Sequence, residues 1–70
     1  MDYYLFRIAY DDFETNLKAA KIGLVKSMHE VAKKYLRGFG VEKNIEEAIT
    51  WLEKSVSEGD ESATVTLFAV

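Results

Sequence analysis

The chain has 70 residues, 49% of them hydrophobic and 30% charged, so it reads as a single small folded domain. It contains no cysteine and one histidine, which excludes disulfides, thiolate metal sites and a zinc centre built on several imidazoles. A net charge of -3 argues against a dedicated nucleic-acid or anionic-membrane surface.

The chain lacks proline, and Gly23, Gly38, Gly40 and Gly59 cut it into helix-length segments. In the opening residues Leu5, Ile8 and Ala9 have helical spacing, whereas Tyr3, Tyr4 and Phe6 also suit a strand. Asp2 stands where a signal peptide would be basic, and no apolar run approaches the ~18 residues of a membrane span. A cytoplasmic location is therefore expected. Asp11 or Asp12 caps the next helix, with Phe13, Leu17 and Ala20 or Lys21 facing inward. Gly23 closes it, and Leu24 can supply the hydrophobic contact that accompanies such a cap.

Met28, Val31, Ala32, Tyr35 and Leu36 mark the apolar face of a second helix that ends at Gly38. Its last turns carry Lys33, Lys34 and Arg37, where cations suit the helix dipole. The short loop after it is expected to tuck Phe39 or Val41 against the helices. Asn44 caps a third helix, with Glu47 as the partner of a capping box. Ile45, Ala48, Ile49, Leu52 and Val56 form its inner stripe, widened by Trp51, and Gly59 closes it. Asp60 caps a last helix whose inner side holds Ala63, Leu67 and Val70.

Sliding the chain by 36 residues lays Gly23 on Gly59, residues 18–23 on 54–59, Ser27 on Ala63 and Val31 on Leu67. A period of this length is the signature of a helical repeat array. Each hairpin in such an array buries its apolar face only by stacking on its neighbours. Residues 24–59 form one complete unit, flanked by partial units at 1–23 and 60–70.

The pattern Ser27, Val31-Ala32, Tyr35, Gly38-Phe39-Gly40-Val41, Asn44, Glu47-Ala48, Trp51, Lys54-Ser55-Val56 and Gly59 resembles the Sel-1-like repeat family, relatives of the tetratricopeptide repeats. The resemblance covers about residues 17–67. It implies an all-α fold, an α-α superhelix or TPR-like right-handed solenoid of short antiparallel helix pairs, with about two repeats. Gly23, Tyr35, Gly38, Gly40, Val41, Ala48, Trp51 and Gly59 would then define the repeat. Ala32 departs from the family's glycine at the helix crossing, and Phe68, at the same position one unit on, is too large for a tight crossing. The family implies a non-catalytic protein–protein interaction module with no cofactor.

Candidate partner-binding residues lie on the polar side of the second helix: Lys26, His29, Glu30, Lys33, Lys34 and Arg37. Val65, Leu67, Phe68 and Val70 are candidates for self-association, because a solenoid end normally needs a polar cap. The partner is expected to be protein, either another copy or a different chain, and neither nucleic acid nor membrane. A small regulatory or immunity-type protein that neutralises one partner is the alternative, and an enzyme is weaker still. His29 has no evident nucleophile beside it, since Ser27 points elsewhere on a helix. Asp11 and Asp12 suit a cap better than acid–base chemistry, and Gly38–Asn44 lacks the ending of a phosphate loop. Glu42, Glu46, Glu47, Glu53 and Glu58 read as a solvated acidic exterior. Trp51 reads as packing between repeats, and Tyr3, Tyr4 and Phe6 as an interface or a cover for the first helix pair.

Overall fold

The computed structural model describes residues 12–70, so the readings of Tyr3, Tyr4, Leu5, Phe6, Ile8, Ala9 and Asp11 fall outside the described residues. Four helices follow in order: α1 (Phe13–Lys21), α2 (Val25–Arg37), α3 (Ile45–Ser57) and α4 (Glu61–Ala69). The described chain is an all-α, compact four-helix fold in which α1 packs on α2, α2 on α3 and α3 on α4.

Short polar side chains open three of the helices. Asp12 accepts from the Glu14 N–H, Asn44 from the Glu47 N–H, and Asp60 from the N–H groups of Ser62 and Ala63. The backbone N–H of Asn44 donates to the Tyr35 carbonyl at 3.0 Å rather than to Glu47, so the expected box is only half made. Leu24 stands at the N-cap of α2, where it has no side-chain oxygen to offer. It is also 54% exposed.

The turn that ends α1 recurs, 36 residues on, at the end of α3. Ile22 (φ -91°, ψ 7°) and Glu58 (φ -91°, ψ 6°) are the C-cap residues, followed by Gly23 at φ 102° and Gly59 at φ 98°. Leu24 N–H donates to Ala19 O and Asp60 N–H to Ser55 O, both at 3.1 Å. Gly23 N–H donates to Ala20 O at 3.0 Å and Gly59 N–H to Val56 O at 2.9 Å. This is the Schellman pattern, which places the residue after the cap in left-handed backbone and so favours glycine.

The core forms two clusters. Phe13, Ala20, Met28 and Val31 make the first, joined by Leu17, Tyr35 and Val41. Ala32, Leu52 and Ala63 make the second, joined by Leu36, Val56 and Leu67. Trp51 packs against both, as expected of a residue between helix pairs, and the Lys54 ammonium lies 5.3 Å from its ring centroid. Phe13 and Tyr35 meet edge to face, with centroids 5.3 Å apart. Ala32, Ala48, Ser55 and Ala63 are fully buried, so the helices approach over small side chains. Ala32 thus serves the crossing without glycine.

Three buried polar residues, Asn16, Ser27 and Ser55, escape a reading based on apolar spacing. Ile45 and Val70, expected on inner faces, are instead 39% and 48% exposed. Of the loop pair, Val41 takes the inward place and Phe39 is 64% exposed.

Candidate functional site

The polar side of α2 forms a concave strip. Lys26, His29, Glu30 and Lys33 line a groove of about 620 Å³ whose other wall is the α3–α4 turn, from Glu58 to Asp60, with Ser62. Glu30 and Lys33 also line a second groove of about 330 Å³, with Lys34, Arg37 and Phe39. Lys33 pairs with Glu30 at 3.1 Å along the helix. The Lys34 ammonium sits 5.9 Å from the centre of the Phe39 ring. The second groove therefore carries three cations against one carboxylate, on a chain that is acidic as a whole. Phe39 belongs to this surface, Val41 having taken the inward place that the sequence left open between the two.

Of the six α2 candidates, five present their charges to these grooves. His29 does not share their freedom. Its Nδ1 lies 3.2 Å from Asp60 Oδ2, with only about 15% of either side chain exposed, and its Nε2 lies 3.0 Å from Thr66 Oγ1. The imidazole thus ties α2 to the α3–α4 turn and to α4. These partners lie 31 and 37 residues away in sequence, and no local spacing rule couples them.

Asp60 is the hub of this network. Its Oδ1 accepts from the Ser62 hydroxyl at 2.7 Å and from the N–H groups of Ser62 and Ala63. Its Oδ2 accepts from the Ser55 hydroxyl at 2.9 Å. The Ser62 hydroxyl above all, then Ser55, the Ala63 N–H and the charge of His29, hold the carboxyl down from 3.8 to about 2 against the opposing effect of burial. Asp60 is therefore ionised at neutral pH, and Nδ1 of His29 carries the proton that faces it. With the ring neutral, Nε2 accepts from the Thr66 hydroxyl. In the imidazolium it donates instead, and the Thr66 proton turns to Ser62 O at 3.2 Å.

Carboxylate, imidazole and hydroxyl follow one another here in the order of a hydrolytic relay. Such a relay acts by way of donors that converge on a developing oxyanion. Thr66 Oγ1 projects from the interior of α4, where the backbone N–H groups are spent on the helix ladder. The contacts join α2, the α3–α4 turn and α4.

At the end of the chain Val65 is 70%, Phe68 86% and Val70 48% exposed. Leu67 differs from these three and packs against the second core cluster, on the inner side where its helical spacing places it. The α4 helix forms despite Phe68, because the side chain projects into solvent rather than into a crossing. Among the described residues no helix is long and apolar enough to cross a membrane. No family model, curated protein or solved structure matches the chain.

Proposed function

We propose that the chain is a non-catalytic protein–protein interaction module, built as a right-handed solenoid of about two Sel-1-like, TPR-related units. The observation that carries this reading is the turn that recurs at 36 residues with the same dihedral angles and the same hydrogen bonds. Two turns of one geometry at one spacing are what a duplicated hairpin unit produces. The helices also pack in sequence order, each on the next. The working surface is the concave strip of Lys26, Glu30, Lys33, Lys34 and Arg37, to which Phe39 adds an exposed aromatic of the kind enriched at interfaces. His29 lines the first groove as well, held in place by Asp60 and Thr66. The favoured partner is a protein with an acidic contact face, met in the cytoplasm.

A charge-reversed variant, Lys33→Glu with Lys34→Glu and Arg37→Glu, tests the reading in affinity capture. The expected result is a partner held by the wild-type chain and lost from a variant of equal helicity. Equal retention of the same partner by both would overturn the basic strip as the binding face. Capture of one stoichiometric partner, rather than several weak ones, would favour the immunity-type alternative.

A further inference from the structure

Of the two grooves along α2, only the one at its C-terminal end carries an excess of positive charge. The first sets Lys26 and Lys33 against Glu30, Glu58 and Asp60. The second sets Lys33, Lys34 and Arg37 against Glu30 alone. The Lys33 ammonium is taken by Glu30 at 3.1 Å. Among the described residues neither Lys34 nor Arg37 has a carboxylate partner. The helix dipole accounts for cations in this last turn. It does not account for an aromatic ring held in the open beside them.

That ring is positioned by its backbone. The N–H groups of Gly38 and Phe39 both donate to the Lys34 carbonyl, at 2.8 and 3.0 Å. Gly38 and Gly40 on either side take left-handed backbone, at φ 70° and 73°, and Val41 packs on the first core cluster. Phe39 is therefore set between the basic turn and an anchored residue, with its ring 5.9 Å from the Lys34 ammonium.

We propose that this groove takes a short acidic peptide segment with one aromatic residue, whose carboxylates meet Arg37 and Lys34 while its ring packs on Phe39. The proposal rests on the α2 strip being a protein-binding face and narrows the partner from an acidic face to a segment. Charge complementarity supplies the carboxylates, and the guanidinium of Arg37 can hold one of them by two parallel hydrogen bonds. The volume of about 330 Å³ is at the low end of the ~300–1,000 Å³ of ligand sites, enough for a few side chains. A nucleic-acid strand also offers anions and rings, but its phosphates recur along its whole length. Beyond this groove they would meet Glu30, Glu58 and Asp60 of the adjoining one.

The test follows backbone amide shifts of the isotope-labelled chain against blocked peptides. The probes are Glu-Glu-Phe-Glu-Glu, its alanine counterpart Glu-Glu-Ala-Glu-Glu, Lys-Lys-Phe-Lys-Lys, and a short oligothymidine. The first is expected to bind saturably, with the largest shifts at Lys34, Arg37 and Phe39, and the lysine peptide not to bind. The alanine peptide is expected to bind about threefold to tenfold more weakly, and Phe39→Ala to remove that preference. Lys34→Glu is expected to abolish binding. Lys18→Glu, the same change in net charge at an exposed site on α1, is expected to leave binding unchanged. Absence of saturable binding, equal binding of the first two peptides by the wild-type chain, or tighter binding of the oligothymidine overturns the proposal. If the peptides fail while the charge-reversed variant still loses its captured partner, the strip stands as the binding face and only the segment is refuted. Failure of both refutes the two together.

Discussion

Truncating Asp60 to alanine removes a helix cap and a buried hydrogen-bond acceptor in one step. Loss of the bonds to the Ser62 and Ala63 N–H groups costs about 1 kcal/mol, as for other caps. The fully buried Ser55 hydroxyl is then left with only the Val25 carbonyl at 3.5 Å, and an unpaired buried hydroxyl costs about 1–3 kcal/mol. Together they make about 2–4 kcal/mol, a large part of the roughly 4–10 kcal/mol that a chain of this size holds. Asp60→Asn keeps the size and the capping oxygen, but it removes the charge and replaces the Oδ2 acceptor of Ser55 and His29 with an amide donor. The fall of the Asp60 carboxyl from 3.8 to about 2 corresponds to about 1–2 kcal/mol once solvent screening is allowed for.

The sign follows from linkage. The carboxyl is lower in the folded than in the unfolded state, so its contribution is complete above about pH 4 and lost as pH falls toward about 2. Urea denaturation followed by circular dichroism, at pH 7 and near pH 2.5, measures both effects. Asp60→Ala is expected to lose more than Asp60→Asn at pH 7, and the gap between wild type and Asp60→Asn should shrink at the acid pH. Wild-type stability in Asp60→Ala, or an undiminished gap in acid, would refute the argument.

Gly23→Ala and Gly59→Ala should destabilise by the same amount, about 1–2 kcal/mol each, because both residues hold left-handed backbone and an added Cβ would meet nothing within 4 Å. Thermal melts of the two variants check the equality, and unequal losses would count against one duplicated turn. Leu52→Ala removes the fully buried side chain shared by α2 and α4 and is expected to cost about 2–5 kcal/mol. Near-wild-type stability by the same melts would show that the second cluster is not a core. A double-mutant cycle of His29→Ala and Thr66→Val is expected to give a coupling of about 0.5–1.5 kcal/mol. Additive losses would show that the 3.0 Å contact contributes nothing.

The three capping side chains, the glycine stops and the apolar stripes were legible in the sequence because each is a local matter of spacing and φ. The matching turns at Gly23 and Gly59 were legible for the same reason: a Schellman turn favours glycine after the helix. The candidate surface was only partly legible. Lys26, Glu30, Lys33, Lys34 and Arg37 stand on the polar side of α2 as their spacing requires, whereas His29 is held by partners on other elements. The loop offered Phe39 and Val41 as alternatives for the inward place, and packing took Val41. Leu67 packs inward, as its helical spacing places it, because α3 reaches it and does not reach Val65 or Phe68.

The sequence by itself determined the capped starts of α1, α3 and α4, the glycine stops of α1, α2 and α3, and most of the apolar stripes. Tertiary packing decided which polar groups were taken inside. Asn16, Ser27 and Ser55 are buried at helix contacts, and Asp60 gathers Ser55 and His29 from two other helices. Helical periodicity is a property of near neighbours and can be counted along the chain. The cost of an unpaired buried hydroxyl or carboxylate is settled only when a distant element brings the partner to within hydrogen-bond reach.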